Sequence, residues 1–228
     1  MAIGTPTIVC APAVYVTNLT TASIVSGNLV VVAVCLAGNG RFCTGVSDGT
    51  NTYTEGPHLL GGASLWSDTS LWYKQNAAAV AAGATYTFTA SGGAPVSNIC
   101  AAQVSGVATT SAFDSAGVGA SNPAQGTSQS PTVTTGTLSQ ADEILFGVTG
   151  SSAYQATYTE DANFTNLGAI SFLGHAGSVS LGYELVSSTS AVTFAPSLGT
   201  SANWIALVAP FKAAATGFNR SYGTIVGI

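Results

Sequence analysis

Polar and apolar residues alternate through Thr85-Tyr86-Thr87-Phe88-Thr89, and again at Val179, Leu181, Tyr183 and Leu185, which Ser180, Gly182 and Glu184 separate. Side chains of an extended chain point to opposite faces in turn, so this period of two predicts half-buried antiparallel strands. Three further runs, Leu29 to Ala37, Ile144 to Val148 and Trp204 to Phe211, are almost wholly apolar and read as strands covered on both faces. None reaches the roughly 20 apolar residues that a membrane helix needs. Clusters of Gly, Ser, Asn and Pro divide the runs, at Gly38 to Gly40, Ser91 to Pro95 and Ser121 to Pro131. Only Ala77 to Ala82 is compatible with a helix, and Gly83 stops it. About a dozen short strands with frequent turns predict an all-β sandwich or barrel.

The strands recur in order. Gly27-Asn28-Leu29-Val30-Val31 is followed by Asn51-Thr52-Tyr53-Thr54-Glu55, Ser70-Leu71-Trp72-Tyr73, Thr87-Phe88-Thr89-Ala90 and Asn98-Ile99-Cys100-Ala101. Asp142-Glu143-Ile144-Leu145-Phe146 is followed by Ala156-Thr157-Tyr158-Thr159-Glu160, Ser180-Leu181-Gly182-Tyr183, Thr193-Phe194-Ala195-Pro196 and Asn203-Trp204-Ile205-Ala206, at offsets of 105 to 115 residues. Such a duplication predicts two similar half-units sharing one core, because a lone five-stranded unit buries too little apolar surface to stand alone.

Together with Gln103-Val104-Ser105-Gly106-Val107, the Ser/Thr-rich loop before Ala141-Asp142-Glu143-Ile144-Leu145 and the closing Trp204-Ile205-Ala206-Leu207, this pattern resembles the jelly-roll sandwich domains of bacteriophage virion proteins and bacterial surface proteins. The resemblance spans roughly residues 6 to 213. It implies an antiparallel jelly-roll-like β-sandwich used for packing, decoration or adhesion, and brings no catalytic residue or cofactor with it.

Charge is scarce. Asp, Glu, Lys and Arg make up 6 % of the chain, with four basic and nine acidic residues and a net charge of −5. Four cations neutralise too few phosphates for nucleic-acid binding to be expected. Disorder is not expected either, given abundant Val, Leu, Phe and Tyr. A surface of Ser, Thr, Ala and Gly suits a protein covered by its neighbours, since charge is depleted at the cores of interfaces. No charged segment followed by an apolar stretch opens the chain, so synthesis and folding in a cytoplasm are expected. Cys10, Cys35, Cys43 and Cys100 form no CxxC pair and read as small buried hydrophobes, with a single disulfide as the alternative.

Candidate sites are few. His58 and His175 lie in Gly-containing loops, and no Gly-x-Ser-x-Gly pattern frames a nucleophile: Ser105 precedes Gly106 but lacks a Gly two positions earlier. Asp48 with Asn51 and Glu55 offers oxygen ligands of the kind calcium takes, as do Asp142 with Glu143 and Glu160 with Asp161. Ser47-Asp48-Gly49-Thr50-Asn51 is equally a plain turn sequence. Trp66 and Trp72, with Tyr53, Tyr73 and Tyr154, could offer a stacking platform for a glycan, although Trp72 and Tyr73 point to opposite faces of one strand. Trp204 sits in the most apolar strand and reads as core.

The expected organisation is a short N-terminal arm over residues 1–6, a single β-sandwich domain over 7–213 and a C-terminal arm over 214–228. Phe218, Arg220, Tyr222, Ile225 and Ile228 make the last segment too apolar for a solvated end. Arms of this kind add to open sheet edges of neighbouring subunits. The expected role is a multi-copy, non-enzymatic capsid decoration, cement or tail protein of a phage virion, without cofactor, bound to copies of itself and other virion proteins. A glycan- or receptor-binding module of a tail fibre or bacterial surface protein is the alternative.

Overall fold

The structure, a computed structural model, describes residues 2–14, 18–20, 22–37, 41–61, 67–91, 96–153, 155, 157–171 and 177–215. The first half contributes β1 (Thr7–Val14), β2 (Asn18–Thr20), β3 (Leu29–Ala37), β4 (Cys43–Ser47), β5 (Thr54–Leu60), β6 (Ser67–Lys74), β7 (Thr85–Ala90) and β8 (Val96–Val104). The second contributes α1 (Ser115–Val118), β9 (Ala124–Ser128), β10 (Val133–Thr134), β11 (Asp142–Ser151), β12 (Tyr158–Thr159), β13 (Thr165–Ser171), β14 (Ser178–Ser187), β15 (Thr193–Phe194), β16 (Ser197–Leu198) and β17 (Ala202–Lys212). The apolar run Leu29 to Ala37 is β3 itself, and the other two runs lie inside β11 and β17.

The fold is all-β and antiparallel throughout. One five-stranded sheet runs β1-β8-β3-β6-β5 and the other β9-β17-β11-β14-β13, so both halves use the same order. The smaller sheets match as well. The first half has β2-β7-β4, and the second has β10-β15 and β12-β16. The counterpart of β7 is cut in two at Ala195-Pro196, where proline brings no N–H to a ladder.

Register shows which repeats are spatially equivalent. Val34 pairs with Ser70 and Thr149 with Ser180, as the matches of β3 with β11 and β6 with β14 require. Thr54 lies opposite Tyr73 and Thr165 opposite Tyr183, and each of these edge pairings carries a bulge a few residues on. Two of the matched motifs are displaced. Tyr158-Thr159 is in β12, which pairs with β16 as β4 pairs with β7, whereas Thr54-Glu55 opens β5. Phe194 pairs with Val133 as Tyr86 pairs with Leu19, so its counterpart is Tyr86 rather than Phe88.

Between the large sheets lies one apolar cluster, containing Leu29, Val31, Ala33 and Cys35 of β3 with Ile144, Phe146 and Val148 of β11. The core is therefore shared, but it is not the sole core. The other face of β3 packs Val30, Val32, Val34 and Leu36 with Tyr86 and Trp72. In the second half Leu145, Val208 and Trp204 pack with Phe194 and Leu198. Each half thus buries both faces of its large sheet, which explains why the β3 run lacks polar residues.

Residues 77–82 are not helical. The N–H groups of Ala77, Ala78 and Val80 are donated to Asn28 O, Asn51 Oδ1 and Ile24 O, so tertiary partners take the donors that a helix would use. The four cysteines are buried and joined by no disulfide. Burial pushes Cys10 up to about 11 and Cys35, Cys43 and Cys100 up to about 12.

Candidate functional site

His58 lies on β5, at the edge of its sheet. Its Nε2 lies 2.6 Å from Asp68 Oδ1 and its Nδ1 3.1 Å from Glu55 Oε1. Asp68 has no exposed surface, and its second oxygen accepts the Cys43 N–H at 3.0 Å. The hydrogen bond to Asp68 raises the His58 pKa against the opposing effect of burial. Each ring nitrogen thus faces a carboxylate, and the protonated ring donates at both ends. Neither nitrogen is left to accept a proton from a substrate, so the trio holds β5 onto β6 rather than presenting a base.

Glu55 is therefore engaged with His58. Asp48 is buried, and its carboxylate accepts the N–H groups of Thr50 and Asn51, the Asn51 amide at 3.0 Å and the Tyr53 hydroxyl at 2.9 Å. Asn51 in turn is tied to Ala78 through both its amide atoms. The cluster expected as a calcium candidate is instead a closed turn: its donors fill the carboxylate that a cation would need, and its third member is elsewhere. Among the described residues no group of three or more His, Cys, Asp or Glu is placed to hold a metal.

Trp72 is 5 % exposed, and its indole N–H is donated to Ser70 Oγ at 3.0 Å. It offers no face for a sugar, which corrects its place in the expected platform: β6 is covered on both sides, so either face of the strand is core. Trp204 is buried as expected, with its N–H on Ser128 Oγ. Trp66, Tyr154, His175 and the arm residues Phe218, Arg220, Tyr222, Ile225 and Ile228 lie outside the described residues.

The second half buries acids as well. Glu143 has no exposed surface, and its carboxyl lies against that of Asp114. Burial and the neighbouring Asp114 carboxylate push its pKa up to about 7. Glu160 lies across Gly182, bound by the Tyr158 hydroxyl at 2.9 Å, and burial pushes it up to about 7 as well. Asp161 instead accepts the N–H groups of Asn163 and Ala195. The pairs Asp142–Glu143 and Glu160–Asp161 therefore divide their carboxylates between separate tasks.

One open concavity, of about 590 Å³, is found at an end of the sandwich, lined by Ile3, Ala141, Asp142, Leu185, Ala213 and Ala215 among others. Its position follows from the strand pattern. Val179 and Leu181 belong to the inter-sheet core and Tyr183 packs against it. Leu185, next in the same row, is 49 % exposed. The N-terminal segment forms another wall, fixed by the Gly4 N–H on Ser105 O. Gly106 has φ +79°, and the Ala2–Ile3 backbone occupies the place where its Cβ would be, so only glycine fits there. Sequence reasoning missed this groove. The signal was Leu185 itself, an apolar residue too many at the end of an alternating row.

No family model, curated protein or solved structure matches the chain.

Proposed function

We propose that the chain is a non-enzymatic structural subunit of a repetitive assembly, in the class of multi-copy decoration, cement or tail proteins of a bacteriophage virion. In this reading each half is a jelly-roll unit, the two are joined back to back, and contacts to copies of itself and to other virion proteins are made by area and shape. Its place is then the virion, after synthesis in the host cytoplasm.

The observation that carries the reading is the near absence of surface charge. Charged residues are already only 6 % of the chain, and Asp48, Asp68, Asp114 and Glu143 are buried. Freely soluble domains commonly show about 25–35 % charged surface, whereas interface cores are depleted of charge. The glycan alternative has lost Trp72 to the core and now rests on Trp66. The test is the solution mass of the purified chain by light scattering over a concentration series. A discrete oligomer is expected. A monomer at every concentration, together with no retention on phage particles, overturns the proposal.

A further inference from the structure

We infer that the groove at the end of the sandwich receives residues 216–228 of a second copy, so that two subunits exchange C-terminal segments. This rests on the assembly reading above and names its contact.

The groove is the unfinished end of the inter-sheet core. The row Val179, Leu181, Tyr183 runs on to Leu185, past the cover that the facing sheet provides. A strand edge is open at the same place. β13 begins at Thr165, opposite Tyr183, so among the described residues 184–187 of β14 pair with β11 alone. An apolar floor beside an unpaired edge is what an added strand uses: main-chain hydrogen bonds along the edge and alternate side chains in the pocket.

The sequence supplies an occupant of that chemistry. Thirteen residues follow Ala215, enough to span about 43 Å when extended. Phe218, Arg220 and Tyr222 share one face of an extended segment. The two rings suit a floor walled by Ala141, Ala213 and Ala215, and the cation between them suits Asp142 at the exposed rim.

A second copy is favoured over the chain's own tail by where the tail is rooted. The Ala213 N–H is donated to Asp142 O and the Ala214 N–H to Gly106 O, so residues 213–215 are themselves fixed as a wall of the groove. A tail entering its own groove must reverse at Thr216-Gly217. Because root and groove lie side by side, two copies related by a two-fold axis each give and receive, and the contact closes on itself.

The experiment uses light scattering on the full chain, on a chain ending at residue 215 and on Leu185→Arg, each checked for an unchanged far-UV spectrum and melting temperature. A synthetic peptide of residues 216–228 is titrated onto the shortened chain by fluorescence anisotropy. Expected are a dimer for the full chain, monomers for the other two, and peptide binding weakened at least tenfold when Leu185→Arg is added to the shortened chain. Should Leu185→Arg fail to fold, Asp142→Lys is the second variant, with the same weakening expected. An oligomer that survives both truncation and Leu185→Arg overturns the groove contact while leaving the assembly reading standing. A full-length monomer whose groove excludes the peptide, while the shortened chain binds it, shows the tail in its own groove and overturns the exchange.

Discussion

The two halves share a strand order and differ in what covers their outer faces. In the first half Trp72 lies over its sheet with its N–H on Ser70. At the equivalent place in the second half stands Gly182, and the space is taken by Glu160 with Tyr158. Ser180, the counterpart of Ser70, then has the Tyr158 hydroxyl beside it in place of an indole N–H. The charges have separated too. Residues 1–113 carry three acids, two of the four Lys and Arg, and His58, while residues 114–215 carry six acids, Lys212 and His175. The inner rows and their register fix the topology, because a one-residue slip would turn every core side chain outward. The outer faces are held only by local packing, so their chemistry has been free to diverge.

The largest effect that would sharpen this contrast is at Trp72. Trp72→Ala empties the outer core of the first half and leaves Ser70 without its donor, an expected loss of about 3–5 kcal/mol by urea unfolding. Gly182→Ala meets only the far end of the Glu160 side chain, which can swing toward solvent, so a loss below about 1 kcal/mol is expected there. Equal losses would mean that the two outer layers are equally rigid and would break the comparison.

His58→Ala is next. It leaves the Asp68 carboxylate with, among the described residues, only the Cys43 N–H as partner, and an expected cost of about 3 kcal/mol at neutral pH. Replacing both partners, His58→Gln with Asp68→Asn, should recover more than half of that, because no unmatched charge remains. A double variant no better than the single one would show that the trio acts through packing alone. The equivalent of His58 in the second half is Ala169, opposite Ser180, so no parallel variant exists there.

How much of this was legible beforehand depends on the direction of the side chain. Inner rows announced themselves: Leu29, Val31 and Ala33 with Ile144, Phe146 and Val148 carry the repeat, and their strands are in the expected places. Outer faces did not. Thr-Tyr-Thr-Glu occurs twice, yet Glu55 binds His58 while Glu160 crosses Gly182, since identical tetrapeptides lie on non-equivalent strands. Trp72 was readable as aromatic and amphipathic but not as covered, because the cover comes from β7 and the Tyr53 turn, distant in sequence. The groove was hidden for the opposite reason: nothing in a strand pattern says where the facing sheet stops.

Gly147 and Val32 give a smaller test of divergence. The Phe194 ring lies against Gly147, 2.8–2.9 Å from where a Cβ would sit, and that ring is fully buried. Gly147→Ala is expected to cost about 1–3 kcal/mol through overpacking. In the first half Val32 occupies the equivalent position beside Tyr86, so Val32→Ala should cost a similar amount through the cavity it leaves. The same loss by opposite causes would be separated by Phe194→Leu, which should relieve Gly147→Ala. Failure of that relief would mean that the ring is not what glycine accommodates.

The last effect is the pH dependence, and it belongs mainly to the second half. Glu143 and Glu160 are both raised to about 7 in the folded chain, against about 4.3 when unfolded. A carboxyl raised on folding contributes its stability fully below the unfolded value and loses it as pH rises through the folded one. Between pH 5 and pH 8 the fold should therefore lose on the order of 2 kcal/mol, with Glu160 discounted for its partial exposure. His58 is raised too and adds a loss of the same sign as it deprotonates, so the slope alone does not identify its source. Glu143→Gln does: the amide mimics the protonated acid beside Asp114, leaving stability at pH 5 unchanged and raising it at pH 8. An unaltered slope in Glu143→Gln would leave Glu160 and the His58 trio as its sources, and a slope unaltered in Glu160→Gln as well would move the pH dependence to the trio.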